Sequence, residues 1–322
     1  MIKFRSPFAT LLTEFIELKR RTGFKYITEA KHLLQFDSFC LDQGVTIPHL
    51  TKSLSDLWCS KKPYEFARNS HQQRVSCIRQ FALYLVAMGY DAHIPVNLDY
   101  IRQRKSAYMA YIFSHSEMNS IFAKSNQIYP HRRSTMHLVM PVLVRLLYSS
   151  GLRIQEALDL TLQDLDLVNG VLQVRRAKFN KDRHIPVSET MLEILREYCS
   201  VMHPRYLSND PLFVGVTRQP YSHHSIYTRF RELLVQAGIQ HAGRGYGPRI
   251  HDVRHTFCCH TLQRAVKSGA DLSNMLPLLS EYMGHESWIS TSQYVKMTAE
   301  VYPEILEAVT RMCAFVIPEV KP

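Results

Sequence analysis

The sequence predicts a mainly α-helical protein with a small antiparallel β-sheet, built from a helical N-terminal domain and an α+β C-terminal domain. Its 322 residues exceed what one ordinary hydrophobic core organises, so two domains are expected. Apolar residues recur at helical spacing through most of the chain. Two short β-like segments flank a single polar turn, which is the pattern of a hairpin.

Four helices are expected in the first hundred residues, because apolar side chains recur there at helical spacing. They cover roughly residues 8–18, 28–44, 53–60 and 70–89. Ser70 is the expected N-cap of the last helix. Lysines and arginines lie on the opposite faces, among them Arg74 and Arg79. For any single basic residue, a solvated position is the simpler interpretation.

Helical periodicity lapses between about residues 90 and 111, where Pro95 and Asn97 interrupt it. The same stretch holds a basic run of Arg102, Arg104 and Lys105. This composition is typical of an interdomain linker. The predicted domains are therefore a helical one at residues 1–106 and an α+β one at residues 112–322. The basic linker could lie along phosphates or be solvated, and the sequence leaves both open.

The second domain is predicted to open with a helix whose capping box is the segment 114–117, Ser-His-Ser-Glu. A long apolar helix is expected at about residues 136–149, with Gly151 as its stop. Residues 171–174 and 183–187 are the strands of the predicted hairpin, which has a lysine-rich tip. Three further helices are expected, the last with one apolar face: residues 188–200, 225–236 and 299–316.

Bulk composition describes a globular chain with a basic balance. Hydrophobic residues make up 46% of the chain and charged residues 21%, which excludes a disordered or fibrous protein. The net charge is +11, and residues 1–106 carry 16 Lys and Arg against 9 Asp and Glu. The first domain is therefore the better candidate for contacts with a polyanion, although basic charge alone does not identify one.

The chain carries no sign of secretion or of a membrane span. Its seven cysteines are odd in number and scattered, which favours free thiols in a reducing cytoplasm. The most apolar stretch, residues 140–152, is interrupted by Arg145 and is too short for a bilayer. The N-terminus lacks the apolar core of a secretory signal. A cytoplasmic protein is expected.

Two basic residues stand at turns where they could meet an anion. Arg153 follows the turn at Gly151 where a helix is expected to begin, so its planar guanidinium could bind an anionic group. It could equally pair with Glu156 three residues later. Lys178 lies at the hairpin tip and could reach into a groove or be solvated.

Two further clusters lie towards the C-terminus. His251 and Arg254 are three residues apart, so they share a helix face and could act on one group. His285 follows a glycine, and Tyr294 comes nine residues later. A zinc site is the alternative role for the histidines and cysteines between residues 251 and 260: His251, His255, Cys258, Cys259 and His260. Their spacing matches no zinc motif, so no metal is expected.

Residues from about 114 to 297 resemble the catalytic domain of the tyrosine recombinases, the phage integrase family. That family carries Arg, Lys, His-x-x-Arg, His or Trp, and Tyr in this order. All six positions are filled here: Arg153, Lys178, His251, Arg254, His285 and Tyr294. The segment His-Asp-Val-Arg-His-Thr-Phe is similar to the family's second box nearly letter for letter. The N-terminal helices are similar only in kind to the family's core-binding domain, which clamps DNA.

The resemblance implies a site-specific recombinase of the integrase or transposase type, which cleaves and rejoins DNA through a 3′-phosphotyrosine intermediate. It implies no metal, ATP or other cofactor. Tyr294 would be the nucleophile, and Lys178 would be the general acid for the leaving 5′ oxygen. The other four positions would bind the scissile phosphate: Arg153, His251, Arg254 and His285.

Two departures from the family pattern bear on finer expectations. The hairpin has Arg-Ala-Lys-Phe-Asn where the family usually has Gly-Lys-Gly, so Lys181 competes with Lys178 for the role of general acid. The stretch from Arg254 to His285 is longer than in chromosome-dimer-resolving Xer enzymes, with an added segment around residues 262–282. This length favours the integrases of transposons and other mobile elements.

The implied partner is double-stranded DNA that carries a recombination site. Six basic residues are expected to contact it outside the catalytic set: Arg74, Arg79, Arg102, Arg104, Lys105 and Lys181. A homo-tetramer would form on paired sites from protomers that are monomers or weak dimers when free, with the helix at 299–316 docked on a neighbour. Accessory proteins could join, and the protein would be nucleoid-associated. A type IB topoisomerase-like enzyme and a catalytically inactive DNA-binding regulator remain alternatives.

Overall fold

The computed structural model describes residues 3–60, 68–96, 110–175, 182–205, 207–241, 247–284, 294 and 297–298. The chain divides into two compact units, residues 1–108 and residues 109–322. Over the described residues it is mainly helical, with one three-stranded antiparallel sheet. This confirms the predicted fold class. Of the helices described, none combines the length and the apolar character needed to cross a membrane.

Four helices make up the described part of the first unit: α1 (Ala9–Arg21), α2 (Ile27–Asp42), α3 (Lys52–Cys59) and α4 (Arg68–Ala87). The four predicted helices are confirmed. Their inner faces bury a cluster of aromatic side chains around Phe36. The ring centroid of Phe36 lies 5.7 Å from that of Phe8 and 5.4 Å from that of Trp58. Burial of one such side chain stabilises a folded domain by about 1.5–3 kcal/mol. This cluster is therefore the core of the unit.

The start of α4 differs from the prediction. Ser70 lies inside the helix, which begins at Arg68, so the expected N-cap at Ser70 is wrong. The residues from 68 to 74 are all polar, and the apolar pattern begins only at Val75. The backbone is already helical before the pattern that predicts a helix appears.

Arg74 is buried rather than solvated, with only 2% of the residue exposed. Its guanidinium donates hydrogen bonds to the carbonyl oxygens of Trp58 and Ser60, the second at 2.8 Å. The guanidinium carbon also lies 4.9 Å from the centroid of the Trp58 ring. The last carbonyls of a helix have no hydrogen-bond donors within the helix, and Arg74 provides donors for them at the end of α3. The expectation that Arg74 contacts DNA is therefore corrected to a structural role.

Replacing Arg74 with alanine should destabilise the first unit by about 2–4 kcal/mol, because the buried Trp58 carbonyl and the Ser60 carbonyl lose their donor and the Trp58 ring loses a packed neighbour. Urea unfolding followed by tryptophan fluorescence measures the change, since Trp58 is one of two tryptophans. Arg20→Ala, at an exposed position of α1, is the control and should change stability by less than about 0.5 kcal/mol. Wild-type stability in Arg74→Ala would contradict the structural role.

Seven α-helices, a short 3-10 helix (Leu162–Asp164) and three strands are described in the second unit. The helices are α5 (His115–Asn126), α6 (Met136–Ser150), α7 (Ile154–Leu158), α8 (Glu189–Met202), α9 (His223–Gln236), α10 (Asp252–Lys267) and α11 (Leu272–Met283). The strands are β1 (Leu165–Asp166), β2 (Val171–Val174) and β3 (Arg183–Pro186). The predicted capping box is confirmed: Ser114 Oγ accepts from the Glu117 N–H at 3.2 Å, and the Glu117 carboxylate accepts from the Ser114 N–H at 2.7 Å.

The sheet has the order β1-β2-β3, and both pairings are antiparallel. In the register, Leu172 lies opposite Ile185 and Val174 lies opposite Arg183. The predicted strands of the hairpin are confirmed, whereas its tip, residues 176–181, lies outside the described residues. Strand β1 was missed, because two residues are too few to show alternation.

Helix α6 is the buried centre of the second unit and packs against α5, α8 and α10. It ends at Gly151, as predicted, with a left-handed φ of 60° that favours glycine. A β-carbon at this position would overlap the Phe257 ring and lie 2.8 Å from the Met283 sulfur. Glycine therefore allows α10 and the end of α11 to approach the turn that precedes Arg153.

Candidate active site

Arg153 is the N-cap residue of α7, directly after the turn at Gly151. Its backbone N–H donates to the Glu156 carboxylate at 2.9 Å, and its guanidinium donates to the same carboxylate at 2.7 Å. The guanidinium also donates to the Gly284 carbonyl at 3.3 Å. The two alternatives from the sequence are thus compatible, because Arg153 pairs with Glu156 while 27% of its side chain stays exposed.

Arg254 lies in the first turn of α10 and is only 3% exposed. Its guanidinium donates to the Gly151 carbonyl at 2.6 Å and to the Met283 carbonyl at 2.7 Å. Burial, with the charge of Arg153, lowers the pKa of Arg254 to about 10, so the group stays positive at neutral pH. Arg254 therefore joins the ends of α6 and α11 and places a buried positive charge beside Arg153.

Glu156 bridges Arg153 to the sheet. Arg183, the first residue of β3, donates two hydrogen bonds to the Glu156 carboxylate, at 3.1 and 2.7 Å. Burial alone would raise the pKa of Glu156, but the hydrogen bonds and charge of Arg183 and the bonds from Arg153 lower it to about 2. Sequence reasoning missed Arg183, although its position at the end of the lysine-rich hairpin could have suggested it.

Two histidines of the second box lie in the same cluster. His251 immediately precedes α10 and shares the neighbourhood of Arg254, as the three-residue spacing predicts. The ring of His255 is perpendicular to that of His251, with centroids 5.0 Å apart. Burial and the charge of Arg254 lower the pKa of each histidine to about 4. Both imidazoles are therefore neutral at neutral pH.

Tyr294 is buried among these groups, with 6% of the residue exposed. Its hydroxyl is 3.0 Å from His255 Nδ1 and also shares a hydrogen bond with the Cys258 thiol. Burial raises the pKa of Tyr294 above its ordinary value, and the nearby charge of Arg254 acts in the opposite direction. Sequence reasoning named His255 only as a metal ligand and missed its contact with the tyrosine.

The structure brings four of the predicted site residues into one neighbourhood: Arg153, His251, Arg254 and Tyr294. The remaining predictions for the site and its linker fall outside the described residues: Lys178, Lys181, His285, Arg102, Arg104, Lys105 and the helix at 299–316. Arg79 lies in the first unit, half-buried, and donates to the Pro95 carbonyl at 2.8 Å. Within the described ranges, no three His, Cys, Asp or Glu side chains are grouped to hold a metal ion.

The cluster has the chemistry of a site for a phosphate ester. Two guanidinium groups meet at the end of α11, because Arg153 donates to the Gly284 carbonyl and Arg254 to the adjacent Met283 carbonyl. Such groups bind phosphate oxygens in pairs and keep their charge. Neutral imidazoles and a phenol hydroxyl lie beside them, and a phenol can attack phosphorus as a nucleophile.

Comparisons with known proteins agree with this chemistry. The model of the phage integrase family matches residues 112–300. The Sinorhizobium fredii protein y4rB, named as a candidate integrase/recombinase, is 30% identical over 312 residues, which cover 95% of this chain and 98% of y4rB. The tyrosine recombinase XerD of Staphylococcus saprophyticus is 29% identical over 172 residues, which cover 50% of this chain and 54% of XerD.

Solved structures show the same fold. The XerH site-specific recombinase bound to difH substrate has a TM-score of 0.63 at 18% identity, over 92% of this chain and 84% of XerH. The Tn1549 transposon integrase (residues 82–397) in complex with transposon right end DNA has a TM-score of 0.61 at 15% identity, over 94% of this chain and 99% of that solved chain. Because the family model covers more than half of the chain and y4rB aligns over almost all of it, the chain belongs to the phage integrase family, the tyrosine-type site-specific recombinases.

Proposed function

We propose that this protein cleaves and rejoins DNA at a recombination site through a 3′-phosphotyrosine bond to Tyr294. One observation carries the proposal: three separate segments of the chain bring Arg153, the His251–Arg254 pair and Tyr294 into one neighbourhood. Attack by Tyr294 Oη forms an Oη–P bond and breaks the P–O5′ bond. The new ester conserves the energy of the broken one, so rejoining needs no ATP.

Arg153 and Arg254 are proposed to bind the non-bridging oxygens of the scissile phosphate. Preorganised donors of this kind typically contribute about 2.7–4 kcal/mol each to stabilisation of a transition state. The bonds from Arg254 to two backbone carbonyls support the proposal, because they fix the guanidinium before DNA binds. These fixed cations supply the charge compensation for which other enzymes use a metal ion.

Proton transfer is proposed to involve residues of the hairpin and of the second and third boxes. Lys178 gives a proton to the leaving 5′ oxygen, with Lys181 as the alternative donor. His251 hydrogen-bonds the phosphate and assists loss of the phenol proton, and His285 provides a second bond to the phosphate. The neutral state of His251 suits this role, because only a neutral imidazole can accept a proton.

The proposed substrate is double-stranded DNA that carries the recombination site of a mobile element. The XerH and Tn1549 integrase structures hold DNA, which supports DNA as the partner here. The helical unit at residues 1–106 and the linker at 90–111 are proposed as the clamp, with Arg79 and the basic residues 102, 104 and 105 as phosphate contacts. A homo-tetramer is proposed on paired sites, with accessory proteins where the element encodes them.

Tyr294→Phe should bind DNA normally and form no covalent adduct, because the ring is kept and only the attacking oxygen is lost. Nicked duplexes built from the DNA that flanks the gene trap the adduct, and denaturing electrophoresis detects it. Tyr282→Phe, in the same unit, is the matched control and should form adduct as the wild type does. An adduct in Tyr294→Phe would remove Tyr294 from the proposed role, and relaxation of any supercoiled DNA would favour the topoisomerase alternative.

Arg153→Lys should slow adduct formation by about 100-fold or more, because one ammonium cannot bind a phosphate and hold Glu156 and Gly284 at once. Single-turnover cleavage at saturating protein measures the rate. Arg196→Lys, at a surface position that is 44% exposed, is the control and should cleave normally. Near-normal cleavage by Arg153→Lys would show that Arg153 serves only the fold.

Deletion of residues 299–322 should abolish strand exchange and spare binding to a single half-site, because the proposed tail helix docks on a neighbouring protomer. Gel-shift titration measures half-site binding, and a paired-site assay measures exchange. If the tail instead covers its own domain, its deletion should lower the midpoint of thermal unfolding, which a thermal melt measures. Unchanged recombination by the truncated protein would defeat the docking proposal.

A further inference from the structure

The imidazole of His255 makes a contact that the proposed roles do not use. Its Nδ1 lies 3.0 Å from the hydroxyl of Tyr294, and the two ring centroids are 5.5 Å apart. His251, the histidine to which the second box assigns a role, lies one helical turn earlier and contacts His255 through its ring. The side chain that touches the attacking oxygen in this structure is therefore His255.

The position of His255 is fixed by its surroundings. It follows Arg254 on α10, and Arg254 is held by the carbonyl oxygens of Gly151 and Met283. The perpendicular ring of His251 covers one side of the imidazole. Burial, then the charges of Arg254 and Arg249, lower the pKa of His255 to about 4, so the imidazole is neutral at neutral pH.

The partner atom is also in its neutral form, because burial raises the pKa of Tyr294. A neutral imidazole accepts a hydrogen bond at one ring nitrogen, and a phenol donates one. Tyr294 is only 6% exposed, and the Cys258 thiol, a much weaker hydrogen-bonding group, also lies beside its hydroxyl. Of these two contacts, the bond to His255 is the stronger constraint on the direction of the hydroxyl.

We propose that His255 is a positioning residue for the nucleophile: its Nδ1 accepts a hydrogen bond from Tyr294 and holds the hydroxyl beside Arg254 before DNA is cleaved. This proposal rests on the proposed function of Tyr294. Loss of His255 should therefore slow the attack of Tyr294 on phosphorus and leave protonation of the leaving oxygen unchanged. DNA binding should not depend on His255.

The same helix contains a matched pair for comparison. His260 Nδ1 lies 2.7 Å from the hydroxyl of Tyr148, and His260 is 3% exposed. Loss of this imidazole removes a buried His–Tyr hydrogen bond of the same kind, in the same unit, without touching Tyr294. His260→Leu therefore reports what a purely structural defect in α10 does to the reaction.

The test measures single-turnover adduct formation by full-length His255→Leu, His255→Asn and His260→Leu at saturating protein. Each variant is assayed on a nicked duplex from the DNA that flanks the gene and on the same duplex with sulfur in place of the scissile 5′ oxygen. A thiolate leaves without a general acid, so the sulfur substrate isolates attack by the tyrosine. Asparagine places an amide group near the position of imidazole Nδ1 and can restore the bond.

His255→Leu should form adduct about tenfold more slowly than the wild type on both duplexes, as expected for loss of one hydrogen bond. His255→Asn should recover most of the rate, and His260→Leu should stay within about twofold of the wild type. Lys178→Ala should differ from all of these, because sulfur should restore its rate. Half-site binding should be unchanged in His255→Leu.

Three results would overturn the positioning role. The first is a wild-type rate in His255→Leu, and the second is restoration of that variant by the sulfur substrate. The third is slowing of both His260→Leu and His255→Asn to the rate of His255→Leu. Failure of the proposed function is a separate result. In that case the wild type forms no adduct on either duplex, or Tyr294→Phe forms one.

Discussion

The guanidinium of Arg254 is the group on which the rest of the second unit depends. It reaches the carbonyl oxygen that ends α6, at Gly151, and the carbonyl oxygen that ends α11, at Met283. A buried cation costs several kcal/mol unless its donors find acceptors. The two carbonyls supply these acceptors where the three helices meet. Packing of the helices therefore also fixes one residue of the proposed site.

The charges around Arg254 follow from the same constraint. The carboxylate of Glu156 is shared by Arg153 and Arg183, so one negative charge accompanies two positive ones. Arg254 donates to neutral carbonyl oxygens, which do not cancel its charge. The excess positive potential contributes, after burial, to the lowered pKa values of His251 and His255. The neighbourhood is electrostatically prepared for an anion before one binds.

Much of this was predictable from sequence, and the failures have physical reasons. Helices with a long apolar repeat, such as α6, were predicted well, because periodicity reflects burial directly. The start of α4 was not, since a polar segment can be helical when a buried arginine anchors it, as Arg74 does. The ordered resemblance to the family predicted a common site for Arg153, His251, Arg254 and Tyr294, and the structure brings these four residues into one neighbourhood. The resemblance could not identify Arg183 or the contact of His255 with Tyr294, because these depend on which side chains meet across the fold.

The acceptors for Arg254 are main-chain atoms, and this sets how the neighbourhood tolerates change. A carbonyl oxygen is present whatever side chain its residue carries, so position 283 can change without removing a ligand of the arginine, within the volume that its fully buried side chain fills. Position 151 cannot, because any β-carbon there overlaps the Phe257 ring. Two positions that serve the same guanidinium are thus constrained in different ways: position 283 by the volume of its buried side chain, and position 151 by the need for glycine itself.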